Sequence, residues 1–453
     1  MSFIGPTIRN PDVASRSAMT RRAWWLVALN VLIPGAPQVL AGSRGLGRFG
    51  LRCTFMLWLV AIAALAVFIW QRSMFISIVA NAWVLWAVTA TLAFYAVLWL
   101  ILTLDTLRLV RIVRIAPKAR VWVAIVPVLV LVALSGTVVY AASVTSTASG
   151  VLDKVFVAGP SVPPENGRYN VLLMGGDAGP DRQGMRPDSI TLVSVDAATG
   201  SAVTIGMPRE LTNIPLNDSS PLKKLYPDGY GTHGCNVDAC LLNSIYTEVQ
   251  LKSPELYPDA TQNGSSPGIE GMRDAVEGIT GLKIQFYLLV DMAAFSQLVD
   301  ALGGVTVSVT DAVPIHADDT FTTVAEWIKA GTQKLDGYHA LWYARSRHGS
   351  SDYARMQRQR QLEQAMLAEF TPLTLLTKYQ AIAAASAELV KTDIPQSMLG
   401  FFVDLAGKAK TQKLTDVPLT PDNNVDADEP DYGYIRTLVR TAVYPTPSPT
   451  PAG

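Results

Sequence analysis

At 453 residues the chain is long enough for more than one domain, and 49% hydrophobic content with a mean hydropathy of +0.26 implies that part of it lies outside water. Its net charge of zero hides an asymmetry: residues 1–142 carry 13 Lys or Arg against Asp12 and Asp105 alone, leaving 24 basic and 35 acidic groups for the rest. An acidic second part argues against nucleic acid as a partner, and three cysteines are too few for a disulfide framework.

Apolar residues at 23–41 are flanked by Arg21 and Arg22 on one side and Arg44 on the other, and are interrupted by Pro34, Gly35 and Pro37. Proline and glycine break a helix there, so residues 1–50 read as a cytoplasmic N-terminus carrying a re-entrant or interfacial hairpin. No cleavable signal peptide is evident. Segments 51–70, 77–102 and 121–142 each meet the requirement of about 20 apolar residues for a membrane span. Apart from Arg52 at the start of the first, none holds a charge, which suits an all-α transmembrane anchor over 51–142 better than a transport path. The loop after the second span carries Arg108, Arg111, Arg114, Lys118 and Arg120 and is cytoplasmic by the positive-inside rule. A multi-pass cell-membrane protein is therefore expected, with everything beyond about residue 143 extracytoplasmic.

Residues 143–168, rich in Ser, Thr, Gly and Pro, read as a linker, and 441–453 as a disordered Pro/Ser/Thr tail. Between them, 169–440 is enough for one sizeable α/β domain. Strand patterns occupy 170–175, 189–196 and 201–208, the last two joined by the turn AATG at 197–200. Such a hairpin returns Asp188 and Arg209 to one sheet edge, and an antiparallel 170–175 beside it brings Asp177 there too. Helical patterns at 239–248, 268–280, 292–301, 337–343 and 351–370 alternate with strands at 286–291 and 304–309. The expected fold is an extracytoplasmic α-β-α sandwich around a central mixed sheet. Apolar helical patterns at 373–390 and 397–407 read as core. Cys235 and Cys240, in GCNVDACLL, are a disulfide candidate in an oxidising compartment. Four scattered histidines lack ligand spacing, and nucleotide-binding and hydrolase motifs are absent.

The run YARSRHGSSDYARMQRQR at 343–360 reverses the local sign of charge. Arg345 and Arg347 share a face if the segment is extended, and a helix capped by Ser350 or Ser351 aligns Asp352, Arg355 and Gln359, with Arg358 at the edge of the stripe. Arginines in the first turns of a helix oppose its dipole by about 0.3–1 kcal/mol each. A bound anion reverses that balance, since each charge-assisted hydrogen bond contributes roughly 1.5–3 kcal/mol. The bland alternative is a solvated basic helix paired with the acidic remainder; the separate Asp177, Asp188 and Arg209 cluster favours the anion site.

GGDAGPDRQGMRPDSITLVSVDAATGSAVTIGMPRE, GMRDAVEGITGLKIQFYLLVDMAAFSQLVDALGGVTVSV and LDGYHALWYARSRHGSSDYARMQRQRQ resemble, in order and spacing, the core of the LytR-CpsA-Psr family over about residues 169–370. The resemblance implies a membrane-anchored phosphotransferase that moves a glycopolymer from a polyprenyl pyrophosphate carrier to a peptidoglycan sugar hydroxyl, with a hydrophobic channel for the lipid chain. It implies that Asp177 and Asp188 bind magnesium, or manganese in its place. Arg186, Arg209, Arg345, Arg347, Arg355, Arg358 and Gln359 are then pyrophosphate ligands, and Arg273 stands where the family is often basic. Asp188, Arg209, Arg345 and Arg347 would carry the chemistry, with Asp188 as base. Glu210 replaces the usual Asp, and Pro187 and Ser189 flank Asp188 where RSDT is commoner; altered geometry with retained activity is expected. The implied partners are a polyprenyl pyrophosphate-linked glycan, peptidoglycan and the lipid bilayer. Two rival readings stay open: a polyprenyl pyrophosphate hydrolase using water as acceptor, and a non-catalytic lipid pyrophosphate-binding regulator of the cell envelope.

Overall fold

The computed structural model describes residues 15–79, 81–157, 159–177, 186–317, 323–346, 351–369, 390–412 and 414–445, with single positions 9, 11 and 13. The chain divides into two units, Met1–Ser149 and Gly150–Gly453.

In the first unit α1 (Arg16–Leu32) is capped by Ser15 and ends at Ile33. Gly35, at φ 99°, turns the chain into α2 (Ala36–Ala41). The apolar stretch at 23–41 is thus a helix, a turn and a short helix. A side chain at Gly35 would meet the Gly47 carbonyl and the Leu51 amide at 2.7 Å, so only glycine lets this turn lie against α3 (Arg44–Trp70). After α4 (Arg72–Val79) come α5 (Ala82–Val110) and α6 (Pro117–Val155). The second expected span begins later than its hydropathy suggests because Asn81 caps a new helix, its Oδ1 accepting from the Trp83 amide at 2.9 Å. Buried amides tie the α1–α2 hairpin to α5: Asn30 Nδ2 donates to Thr103 Oγ1 at 2.9 Å, and Gln38 Nε2 to the Leu102 carbonyl at 2.8 Å. Three stretches, Arg44–Trp70, Trp83–Arg114 and Pro117–Ser146, are long and apolar enough to cross a membrane. The Ser/Thr-rich segment read as a linker is helical as far as Val155. Ser143 Oγ donates back to the Tyr140 carbonyl at 2.8 Å, the bond by which a hydroxyl is tolerated inside a helix.

The second unit is built on β1 (Arg168–Asp177), β2 (Arg186–Asp196), β3 (Ala202–Met207), β4 (Phe286–Asp291), β9 (Val390–Thr392) and β10 (Thr415–Asp416), in the order β10-β3-β2-β1-β4-β9. β1 and β2 are antiparallel, as are β2 and β3, whereas β4 runs parallel to β1. The sheet is therefore mixed. Alternation sends Leu172, Met174, Ile190, Leu192, Ile205, Tyr287 and Leu289 into one core with α7 (Ser244–Lys252), α8 (Pro267–Thr280) and α13 (Tyr432–Val443). Against the other face lie α9 (Met292–Leu302), α10 (Gly337–Arg345), α11 (Asp352–Glu369) and α12 (Leu399–Ala409). A satellite core joins α9, α10 and α11 to two small two-stranded antiparallel sheets, β5 (Val305–Val309) with β8 (Gly331–Leu335) and β6 (Val313–Ala317) with β7 (Val324–Ile328).

Two expectations are corrected. The helix expected at 239–248 begins at Ser244, because Cys240 is bonded to Cys235 and the amides of Leu242 and Asn243 donate to the carbonyls of Leu211 and Arg209. Arg345 is not extended: it is the last residue of α10, whose backbone bonding continues from Trp342 to Ser346. The apolar pattern at 373–389 and the tail at 446–453 lie outside the described residues, while 441–443 close α13.

Candidate functional site

Asp188 owes its placement to an irregularity. Gly175 pairs with Ser189 but Gly176 pairs with Pro187, so β2 carries one residue more than β1 and Asp188 is the extra one. A bulge of this kind re-aims side chains next to it. Here both Asp188 and its neighbour Ser189 line a single cavity, which strict alternation would forbid. Gly175 permits the close approach, since a side chain there would meet Ser189 Cβ at 3.3 Å.

Arg209, two residues beyond β3, donates from Nη1 to Asp188 Oδ1 at 2.6 Å and from Nη2 to Glu210 Oε1 at 2.9 Å. The expected convergence thus occurs at the strand ends of the sheet, not along a lateral edge. Asp177 pairs with Arg186 in the β1–β2 ladder at the same rim. β4 ends there too, Asp291 lying in register with Gly176; the sequence reading did not single this carboxylate out.

The arginine run divides by task. Arg345, exposed at the end of α10, lines the cavity and lies 5.8 Å from the centre of the Trp342 ring. Arg347 and Ser350 lie outside the described residues, and Ser351 Oγ accepts from the Ala354 amide at 3.2 Å at the start of α11. Arg355 is buried. Arg358 donates from Nε to the Tyr343 carbonyl at 2.8 Å and from Nη2 to the Ser346 carbonyl, and sits against the Tyr343 ring. Gln359 Nε2 donates to the Ala344 carbonyl at 3.3 Å and also lines the cavity. Arg358 and Gln359 therefore brace the end of α10 that carries Arg345. Arg360 pairs with Asp416 at 3.2 Å over β3, where Gly206 leaves room for its guanidinium.

Arg273 is not part of this group. It pairs with Asp393 at 2.5 Å and Glu270 at 3.5 Å, near the start of β4 and on the α8 side of the sheet. Arg186 stands at the rim and its charge reaches the Tyr230 hydroxyl. The fully buried Glu248 accepts from Tyr230 at 2.9 Å, from the Asn236 amide group at 3.1 Å and from Tyr226, and burial pushes both tyrosine hydroxyls up. This network adjoins the Cys235–Cys240 disulfide, whose following residues support Arg209.

The cavity measures about 350 Å³. Its wall is mostly apolar, with Leu173, Leu288, Val290, Phe295, Leu298, Leu341, Leu362 and Met366, and its polar groups are Asp188, Ser189, Arg345, Gln359 and Glu363. A mostly apolar pocket lined by a few convergent polar groups is the ordinary form of a ligand site. Glu363 escaped the sequence reading because a lone Glu in a polar helical run looks solvated. Burial pushes its carboxyl up to about 7, with Asp416 adding to the shift and Arg360 and a Ser189 hydrogen bond opposing it.

The LytR_cpsA_psr family model matches residues 138–434. Biofilm regulatory protein A of Streptococcus mutans is 27% identical over 267 residues, 56% of this chain and 58% of that protein. Regulatory protein MsrR of Staphylococcus aureus is 27% identical over 56% of this chain and 65% of its own length. The chain thus spans about three-fifths of the length of these two curated relatives. The polyisoprenyl-teichoic acid–peptidoglycan teichoic acid transferase TagU of Bacillus cereus is 25% identical over 59% of this chain and 73% of that one. Among solved structures, Bacillus subtilis TagV aligns at a TM-score of 0.44 and 21% identity over 61% of this chain and 96% of its own. A LytR-Csp2A-Psr enzyme from Actinomyces oris aligns at 0.41 and 20%, over 64% and 95%.

Proposed function

This chain belongs to the LytR_cpsA_psr family, and on that footing we propose that its Gly150–Gly453 unit is a phosphotransferase that moves a glycopolymer from a polyprenyl pyrophosphate carrier to a peptidoglycan sugar hydroxyl. The observation that carries this reading is one cavity with an apolar wall and a charged end, where Asp188, held by Arg209, stands with Arg345 and Gln359. The apolar wall suits a polyprenyl chain, and the guanidinium groups suit a diphosphate. A relative named as a polyisoprenyl-teichoic acid–peptidoglycan transferase supports the same class of donor and acceptor.

In this reading Arg209 and Arg345, with Arg347 beyond the described residues, receive the diphosphate oxygens. Phosphoryl transfer depends chiefly on such positioning and charge stabilisation, and one arginine contributes about 10³–10⁵ in rate. The acceptor oxygen bonds to the glycan-side phosphorus as the bond to the polyprenyl phosphate breaks, and Asp188 takes the hydroxyl proton. Asp177 and Asp188 fit a magnesium or manganese ion by chemistry: both are hard oxygen donors, and the ladder brings their residues to one strand end. Bound there, the ion would neutralise phosphate charge. The three membrane-length helices support tethering at the extracytoplasmic surface, where a lipid-linked donor is confined and the effective concentration rises.

The test is to incubate the full chain in detergent with magnesium, a defined lipid-linked glycan and peptidoglycan fragments, and to identify the covalent product. A glycan joined through phosphate to the fragment, with polyprenyl phosphate released, is expected. Free glycan phosphate formed at the same rate without acceptor would replace the transferase with a hydrolase, and an intact donor would leave only a binding protein.

A further inference from the structure

Glu363 is an ionisable group in the cavity for which the transfer reaction above has no use. It lies on α11 one turn beyond Gln359 and shares the cavity wall with Leu173, Leu288, Leu362 and Met366. Its charged surroundings come from every element packed near it. Arg360 on the same helix gives its Nε to Asp416 of β10, which also accepts from Thr204 Oγ1 at 2.9 Å. Asp188 of β2 is paired with Arg209, and Arg345 stands at the end of α10. Among the described residues no cation hydrogen-bonds to Glu363; its partner is Ser189, which faces the cavity by ordinary alternation with the core-facing Ile190.

A carboxylate in an apolar wall must pair or neutralise, because burial penalises the charged form. A second anion beside it makes ionisation harder still. An ionised Glu363 would repel a phosphate in this cavity, whereas a neutral one has an O–H to donate. Ser189 ties the carboxyl to β2, and the acid lines the same cavity as Asp188, Arg345 and the apolar side chains.

We propose that Glu363 is a ligand-binding residue that engages the lipid-side phosphate as the neutral acid, donating its O–H to a phosphate oxygen, so that filling the cavity takes up a proton. This rests on the reading of the cavity as a site for a lipid-linked phosphate. The direction follows from linkage. Free Glu363 titrates near 7, and a bound anion raises it further. Below about pH 7 the proton is already present and affinity is flat; above it, affinity falls by up to about tenfold per pH unit.

The probe is farnesyl phosphate, titrated calorimetrically into the full chain in detergent between pH 6 and 9, with wild type, Glu363→Gln and Glu363→Leu compared. Ionisation of the probe is common to all three and cancels in the ratio of affinities. Wild type should weaken relative to Glu363→Gln by about tenfold per unit above pH 7, since the amide keeps a donor at every pH. Binding heats of wild type in buffers of different ionisation enthalpy should register proton uptake, a readout that needs no variant. Glu363→Leu should bind more weakly than Gln throughout, with no excess pH dependence. A wild-type to Gln ratio that stays constant from pH 6 to 9, with no proton uptake, overturns the assignment of Glu363 while leaving the cavity reading intact. Absence of binding by all three folded proteins at every pH overturns the cavity reading and this inference with it.

Discussion

Asp188 and Arg209 meet at 2.6 Å with side chains only 19% and 17% exposed, so each is the other's counter-charge. Removing Arg209 takes a charge-assisted donor from a partly buried carboxylate, and Arg209→Ala should cost about 1–3 kcal/mol in a denaturation curve besides abolishing transfer. Arg345 and Arg358 separate the two effects. Arg345 is exposed, so Arg345→Ala should leave the melting temperature within error while lowering the transfer rate by about 10³ or more. Arg358 spends its donors on the Tyr343 and Ser346 carbonyls, so Arg358→Ala should melt earlier, losing about 1–3 kcal/mol, whatever its effect on rate. Arg345 and Gln359 both reach the cavity, but not by the expected extended pairing of Arg345 with Arg347: Arg345 ends a helix, and Gln359 follows the helical stripe of Arg355. The sequence could not separate the bracing Arg358 from its neighbours, since backbone carbonyls are its partners and every residue has one. Arg273 was drawn in by motif position alone, and its acidic partner Asp393 lies 120 residues away in sequence.

Helix α10 delivers Arg345, and its first residue fixes where it lies. Gly337 donates its amide to Asp300 Oδ1 at 2.7 Å, and a side chain there would come within 2.0 Å of the Ser296 carbonyl of α9. Gly337→Ala should therefore push the two helices apart, cost about 1–3 kcal/mol, and weaken farnesyl phosphate binding by displacing the far end of the helix. The loop closed by Cys235 and Cys240 precedes the amides that hold the Leu211 and Arg209 carbonyls. Cys240→Ser should lower unfolding free energy by about 2 kcal/mol, seen in melts of oxidised protein and matched by reducing the wild type. β2 and β3 were legible because alternation over six residues or more is a strong pattern, and β1 because its short apolar run ends at Gly175 and Gly176. β6, β7, β8 and β9 were not, since three to five residues give too few alternations and their burial depends on distant helices.

At the scale of the molecule, charge and hydropathy divide the chain at nearly the point where the contacts do: the basic, apolar part ends near residue 142 and the first unit at Ser149. The three membrane-length helices were readable because length and apolar composition are local properties, needing no knowledge of partners. The start of α5 was not, since Asn81 opens that helix by local capping chemistry that a hydropathy window averages away. The full chain should stay in the membrane pellet through high salt and alkaline carbonate, measured by fractionation; extraction by either would show that the three helices do not insert.

β2 holds one position more than the strand beside it, and the consequence is one of parity. On either side of Asp188 odd and even positions exchange faces, so the side chains offered to the cavity depend on a count as much as on identity. Swapping the neighbours of Asp188 alters the site by degrees. Removing one of them restores the even count, leaves the sheet able to form, and turns a different residue toward the cavity.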